Sequence, residues 1–301
     1  MFRRIIYLIN PISGIKTKSG LESVIRRENR KRGIDFDIIH TNAEGDYQYL
    51  REKITTEGVT DIVVCGGDGS VNAVAAALMG TGVNIGVVPM GSGNGLANTA
   101  KIPHQTAAAL EVIFKGHSSY IDGFYINDRF SCMLCGIGFD ATVAHEFAKK
   151  KRRGLKTYIK VTTTQYFSAQ SYPFEVRTPE RSFSTEAYFI SIANSNQFGN
   201  NFTIAPHASL SDGLIDIVIV KKMSKLILPF SLISHVTGLT NAFATDTPAE
   251  EGNILYFQTP ALTITNPQQA LLHIDGDPAP TSNLFTIRVI PHAIKLIQPF
   301  V

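Results

Sequence analysis

A chain of 301 residues suits one large or two medium domains, and with 44% hydrophobic and 18% charged residues it can bury a sizeable core. Lys+Arg 28 against Asp+Glu 25 leave a net charge of +3, compatible with anionic ligands or an anionic surface but far short of a nucleic-acid binder. Three cysteines point to a reducing, cytoplasmic setting without a disulfide framework, and no apolar run approaches the roughly 18 residues of a membrane span. In chain order, the apolar run Ile5–Ile9 is too brief for an export signal, stops at Asn10-Pro11, and predicts a buried first strand. A helix follows over Ser19–Arg32, with Leu21, Val24 and Ile25 on one face, then a strand over Ile34–His40 and a helix over Tyr47–Glu57. The strand Asp61–Cys65 runs into an alanine-rich helix, Asn84–Val88 forms the next strand, and Gln105–Lys115 closes the series as a helix. Strands alternating with helices predict a doubly wound, nucleotide-binding α/β domain with a parallel sheet.

From Ile121 the pattern changes. Tyr125-Ile-Asn-Asp-Arg-Phe130 places an Asn-Asp turn between apolar segments, the signal of a hairpin. Strands are expected at Phe174–Arg177, Phe183–Ala193, Leu214–Val220, Ala261–Thr265 and Leu271–Ile274, with helices at Ala141–Lys149, Leu155–Ala169 and Ser224–Thr237. This reads as a second, mainly antiparallel β domain with helices, over residues 125–285. The first domain covers 1–124, and 286–301, with the closing strand Ala293–Ile297, can return to it. Cys132 and Cys135 fall in one expected strand, Phe130–Gly136, where positions three apart face opposite sides, so they read as core cysteines and not as a metal or redox pair.

The glycine-rich segments carry the chemistry. Gly66-Gly67-Asp68-Gly69-Ser70 lies between a strand and a helix, where glycine leaves backbone N–H groups open and the helix adds its unpaired N–H groups and positive dipole end. Such a place binds phosphate. A carboxylate at Asp68 repels phosphate unless a cation intervenes, so Asp68 suggests Mg²⁺ carried by a nucleotide. Taken alone, the same residues also describe a tight turn with Asp68 as N-cap. Asn10–Gly14, Thr41, Gly66–Ser70 and Gly91–Gly95 all follow predicted strands, and ligands of such sheets bind beyond the carboxyl ends of the strands.

These residues resemble a family, the soluble lipid kinases with a diacylglycerol kinase catalytic domain, which include the sphingosine kinases. The matching segments are Leu8–Gly14 with Lys16, Gly66–Ser70 with Asn72, Pro89–Ala97, Gly136–Ala141, Ala205–Asp216 and Ile274–Asp277, in the family's order. The resemblance implies ATP held by Asn10, Pro11, Ile12, Ser13, Gly14, Lys16, Thr41, Gly66 to Ser70, Asn72, Gly91, Ser92 and Asn94. It implies catalysis by Asp275 and Asp277 jointly, with Asp68 as organiser of Mg²⁺. The family's usual text at the second acidic cluster is Asp-Gly-Glu. Asp277 is one methylene shorter, which leaves open which carboxylate is the base. The resemblance also implies a structural Mg²⁺ at Asp212 with the carbonyls of Ser209 and Leu214, where the sequence alone describes an Asp-Gly turn equally well.

The function expected is phosphoryl transfer from Mg-ATP to a lipid hydroxyl, diacylglycerol- or sphingoid-type, in an interdomain cleft. The alternatives are an NAD kinase-like phosphotransferase, although no Asn-Glu dipeptide occurs, and a non-catalytic nucleotide- or lipid-binding regulator. The lipid is expected at a membrane surface with the protein peripheral to it, and a homodimer is left open. The apolar segment Lys225–Ile233, the residues Tyr158, Ile159, Tyr166 and Phe167, and the basic run Lys149–Arg153 are the candidates for contact with lipid.

Overall fold

The structure is a computed structural model that describes residues 3–10, 18–41, 45–150, 155–196, 204–224 and 252–300. The chain divides into two compact units, Met1–Asp122 with His292–Val301, and Gly123–Pro291.

The first unit is the α/β unit. Its strands are β1 (Arg4–Ile9), β2 (Asp35–His40), β3 (Asp61–Gly66) and β4 (Asn84–Pro89). They lie in the order β2-β1-β3-β4 and all run parallel. A fifth run of chain, the end of β15 (Leu284–Ile297), adds Lys295 and Leu296 alongside Asn84 and Ile85 of β4, again parallel. The continuous apolar text of β1 and β3 fits strands covered on both faces, and Ile5 to Ile9 and Ile62 to Cys65 are fully buried. The helices are α1 (Lys18–Arg32), α2 (Tyr49–Glu57), α3 (Asp68–Leu78), the short α4 (Gly95–Thr99) and α5 (Thr106–Lys115). Helix α3 buries Val71, Val74, Ala75, Ala77 and Leu78, its small residues letting it approach the sheet closely. At the amino ends of the strands Arg3 forks onto the buried Asp61 at 2.8 and 2.9 Å and also donates to the carbonyls of Ile113 and Phe114, tying β1 and β3 to the end of α5. The carboxyl ends are left to polar loops.

The second unit is antiparallel. It comprises β6 (Arg129–Ser131), β7 (Leu134–Gly138), β8 (Tyr172–Arg177), β9 (Ser182–Ala193), β10 (Ile215–Lys221), β11 (Ile254–Thr259), β12 (Ala261–Thr265), β13 (Leu272–Ile274) and β14 (Asp277–Ala279). The end of β5 (Ser118–Ile126) and most of β15 belong to it as well, with helices α6 (Phe139–Ala148) and α7 (Leu155–Tyr166). The order β14-β13-β7-β9-β8-β12-β15 is one path, and β10 bridges β9 and β11. The twelve residues of β9 serve two neighbours: its first half pairs β8, and its second half pairs β7 and β10. Alternation along β9 and β10 sends Ile190, Ile192, Ile215, Ile217 and Ile219 to one apolar cluster. Phe189, Ala193, Val218 and Val220 go to the other, so these strands are covered on both faces.

The sequence expectations hold for the parallel first unit, for the antiparallel second, and for the hairpin. Ile126 pairs with Arg129 across the two-residue turn Asn127-Asp128, where Asn127 has φ 51°. Three details differ. Phe130–Gly136 is not one strand, because the chain bends at Cys132 and Met133 between β6 and β7; all three cysteines are nonetheless free and buried. Strands β11 and β14, the stretch of β15 before Ala293, and helix α4 were not expected. Helix α7 ends at Tyr166, short of Ala169. The predicted helix Ser224–Thr237 lies almost wholly outside the described residues.

Candidate functional site

The polar loops of the first unit meet at the carboxyl ends of β1, β2, β3 and β4. Backbone bonds stitch them together: Asn10 N donates to Cys65 O at 3.1 Å, Thr41 N to Ile9 O at 2.9 Å, and Met90 N to Gly66 O at 2.9 Å. The loops after β3 and β4 touch glycine to glycine. A Cβ on Gly91 would stand 2.6 Å from the Cα of Gly67, and one on Gly67 would stand 3.0 Å from the Cα of Gly91. Backbone meets backbone here, so no side chain can be accommodated on either residue without separating the loops.

Helix α3 opens at this contact. Its N-cap is Gly67, extended at φ −96° and ψ −177° and offering no side-chain cap, so the alternative of Asp68 as N-cap is corrected: Asp68 is the first helical residue. An α-helix of 11 residues therefore opens here on a glycine that supplies no side-chain cap, and a helix amino end of this kind can hold phosphate. The Asp68 carboxylate makes a long contact of 3.4 Å with the Leu96 N–H. Asn10 donates its side-chain amide to the Ser70 hydroxyl at 2.8 Å, joining the end of β1 to the first turn of α3. Asn94, buried and left-handed at φ 52°, braces the neighbouring loop: its Oδ1 accepts from Gly91 N and its Nδ2 donates to Gly91 O, both at 2.8 Å. Thr41 is buried and hydrogen-bonds Tyr47. Ser92 is exposed, and Asn72 lies partly exposed on α3. The structure thus brings together Asn10, Thr41, Gly66–Ser70, Gly91 and Asn94. Pro11, Ile12, Ser13, Gly14 and Lys16 lie outside the described residues.

The second acidic cluster belongs to the second unit. Strands β13 and β14 form a tight hairpin in which Ile274 pairs with Asp277 and the turn residues Asp275 and Gly276 have φ 54° and 83°. This is the Asp-Gly turn that the two-residue hairpin favours. It is held rigidly. Asp275 N donates to Leu134 O at 2.9 Å, while Asp275 Oδ1 accepts from the Ser131 hydroxyl at 2.8 Å and from Leu134 N at 3.2 Å. Asp277, by contrast, is exposed. The negative charges of Asp275 and Asp140 add to burial in pushing the Cys135 thiol well above its ordinary range, so that residue stays a neutral core group.

Two residues beside Asp275 were not singled out from the sequence. The Nε2 of His273 lies 3.3 Å from Asp140 Oδ2, and His273 Nδ1 accepts from Gly276 N at 3.2 Å. Both side chains are buried, at 2% and 8% exposure. Asp140 stood inside a segment quoted for its resemblance, but its pairing with a histidine 133 positions later is a product of the β7–β13 register.

Asp212 is exposed and accepts from Leu214 N at 3.1 Å, closing an Asp-Gly turn before β10; no group of three or more His, Cys, Asp or Glu side chains gathers here or elsewhere among the described residues. Four residues on, Asp216 is fully buried, bonded by the Tyr256 hydroxyl and approached by the Gln258 amide at 3.3 Å. Burial pushes its carboxyl up to about 7, with the Gln258 bond opposing and the Asp212 charge adding. Ile159 on α7 and Phe167 just after its end are 54% and 76% exposed, whereas Tyr158 packs on Phe147 and Tyr166 on the second apolar cluster. Lys149 pairs with Glu146, and Lys151 to Arg153, like Lys225–Ile233, lie outside the described residues. A pocket of about 350 Å³ in the first unit, lined by Leu78, Gly82, Ile85, Tyr120, His292 and Lys295, contains none of the residues expected at the site.

A family model described as the diacylglycerol kinase catalytic domain matches residues 4–126, and one described as the YegS C-terminal NAD kinase beta sandwich-like domain matches residues 134–298. A probable lipid kinase YegS-like protein of Yersinia enterocolitica is 29% identical over 278 residues, covering 90% of this chain and 89% of its own. Its counterpart in Pectobacterium atrosepticum is 28% identical over 280 residues with the same coverage. In fold, the crystal structure of a putative diacylglycerol kinase from Bacillus anthracis superposes with a TM-score of 0.80 at 20% identity, over 99% of this chain and 98% of that one.

Proposed function

This chain belongs to the diacylglycerol kinase catalytic-domain family in its YegS-like form, and from that premise we propose that it transfers the γ-phosphoryl group of Mg-ATP to a hydroxyl of a lipid. The observation that carries the reading is the glycine-to-glycine contact of Gly67 and Gly91 at the amino end of α3. That cradle fits polyphosphate, with the N–H groups of the first turn of α3 as donors to phosphate oxygens. Asp68, at the same helix end, fits Mg²⁺ as a hard oxygen ligand; the ion would neutralise charge over the phosphates. Asn10 and Ser70 hold the first turn in register, and Asn94 shapes the facing loop.

In the transfer the lipid hydroxyl oxygen forms a bond to the γ-phosphorus, the bond to the departing ADP oxygen breaks, and the hydroxyl proton passes to a carboxylate. Asp275 is held by the Ser131 hydroxyl and the Leu134 N–H in a rigid turn, and we assign it the proton. Asp277, exposed at the hairpin, supplies charge. No helix among the described residues is long and apolar enough to cross a membrane; the reading places the lipid at a membrane surface. Helix α7 and the residue after it suit contact with that surface: Ile159 on the helix and Phe167 just past its end are exposed, Lys156 and Lys160 are exposed on the helix, and the helix sequence holds no acidic residue.

The test is turnover of a long-chain diacylglycerol or sphingoid base in anionic vesicles, against a short soluble analogue and against NAD. NAD is the second reading, favoured by the NAD kinase-like description of the matched C-terminal domain. Phosphorylated long-chain lipid is the expected product. Equal rates on the short analogue, or phosphorylation of NAD, overturns the lipid reading.

A further inference from the structure

We propose that His273 is a positioning residue for the reaction, and that a buried relay from Asp140 through its imidazole to the Gly276 N–H sets the turn that presents Asp275. This rests on the assignment of Asp275 as the base.

The relay reads from the inside outward. Asp140 lies in the first turn of α6, and its Oδ1 accepts from Ala141 N at 2.8 Å, which leaves Oδ2 turned toward β13. There it lies 3.3 Å from Nε2 of His273. The other ring nitrogen, Nδ1, accepts from Gly276 N at 3.2 Å. A neutral imidazole carries one proton, and a nitrogen that accepts cannot hold it. The proton is therefore on Nε2, donated to Asp140. Asp140 fixes the tautomer, and the tautomer makes Nδ1 an acceptor for the turn.

The space between the two side chains is provided by Gly136 on β7, directly opposite His273 in the ladder. A Cβ at Gly136 would stand 1.8 Å from Asp140 Oδ2 and 2.7 Å from His273 Nε2. The glycine is an opening shaped to this pair. At the far end, the Gly276 N–H belongs to the turn whose other residue, Asp275, is a non-glycine at φ 54°. The turn is thus gripped from both sides: β6 and β7 hold the Asp275 carboxylate through Ser131 and Leu134, and His273 holds the peptide that follows it. The distance between a carboxylate and the proton it takes is decided at this scale, and a displacement of about 1 Å costs on the order of 100-fold in rate.

Two substitutions separate the ends of the relay. H273N can place its Oδ1 where Nδ1 stood and keep the bond from Gly276, while losing Asp140. H273Q can place its amide nitrogen near Asp140 and leaves the Gly276 N–H without its acceptor. In a lipid phosphorylation assay with Mg-ATP, H273Q is expected to lower kcat at least roughly tenfold with the KM for ATP unchanged, and H273N to keep kcat within about threefold. Equal losses in both variants, or an H273Q enzyme as fast as the wild type, would overturn the relay. D275N is run beside them. If D275N keeps normal turnover, the assignment of Asp275 has failed; if D275N is inactive and H273Q is not impaired, only the relay has failed. Should H273Q not fold, ¹⁵N NMR of the histidines in the unsubstituted protein decides the matter, with a neutral Nε2–H tautomer for His273 expected and an Nδ1–H tautomer refuting the relay.

Discussion

The side-chain amide of Asn10 reaches the hydroxyl of Ser70 across 2.8 Å and so joins the end of the first strand to the first turn of the helix that opens at the phosphate cradle. In the sequence Ser70 was expected only as one of several residues of the phosphate-holding loop. In the structure it fixes that turn. Ser70→Ala is expected to destabilise the protein by about 1 kcal/mol, the size of one lost hydrogen bond, and to raise the KM for ATP more than it lowers kcat. Denaturant unfolding and initial rates at varied ATP check this, and an unchanged KM would speak against a role for the Asn10–Ser70 link in nucleotide binding.

Gly91→Ala makes a sharper demand. Its Cβ has 2.6 Å to the Cα of Gly67, and no flexible side chain is there to yield. The two loops must part. The expected cost is about 1–3 kcal/mol in stability, as for other overpacked sites, with ATP affinity down at least roughly tenfold. A variant that binds ATP as the wild type does would mean that the loops' contact is incidental to the ligand.

The carboxyl of Asp216 carries a pH dependence whose sign is fixed by its environment. Burial holds its folded value at about 7 against 3.8 for the free side chain, so between those values the folded state keeps a proton that the unfolded state has lost. The contribution of this group to stability is greatest below about 4 and falls as pH rises to 7, by an amount on the order of a few kcal/mol. Asp216→Asn removes the titration. Melted in EDTA, the variant should gain stability relative to the wild type at pH 8 and show no such gain at pH 4; a gain independent of pH would contradict the assignment.

Asp212 lies four residues earlier, and its Asp-Gly turn is where a structural Mg²⁺ is expected from the family. We propose that site on the strength of its exposed carboxylate beside the buried Asp216. With Mg²⁺ bound, EDTA should lower the melting temperature of the wild type, and Asp212→Asn should lower it by a similar amount and abolish the EDTA effect. A wild-type melting curve that EDTA leaves in place would reduce the site to a turn.

Helix α7 and the turn that follows it offer two exposed apolar side chains, Ile159 and Phe167, of the kind that enter a lipid surface. Each contributes on the order of 1–2 kcal/mol when buried. The double substitution I159S/F167S should therefore weaken cosedimentation with anionic vesicles at least roughly tenfold, and added salt should weaken it further in the wild type. Undiminished vesicle binding by the double variant would place the membrane contact elsewhere.

The order of elements was legible because the first unit is written in long apolar runs, such as Ile5–Ile9 and Ile62–Cys65, whose burial on both faces leaves no ambiguity of period. The loops that gather at the strand ends could be named for the same reason: a parallel sheet puts every carboxyl end on one edge. Cys132 was misplaced because a bend of two residues interrupts an apolar stretch without glycine or proline to announce it. His273 and Asp140 escaped notice because their pairing depends on the β7–β13 register, and on the space left by Gly136, neither of which has a local signature.

The central claim is phosphoryl transfer from ATP to lipid organised at Asp68, and γ-labelled ATP with long-chain lipid in anionic vesicles tests it most directly. Label recovered in the organic phase, matched by ADP formed, is counted for the wild type and for Asp68→Ala at equal melting temperature. The account predicts stoichiometric transfer by the wild type and at least roughly 100-fold less by the variant, the loss expected for a single electrostatic group at the reacting phosphates. Label that stays in the aqueous phase as free phosphate, or a folded Asp68→Ala enzyme that transfers at the wild-type rate, would contradict it.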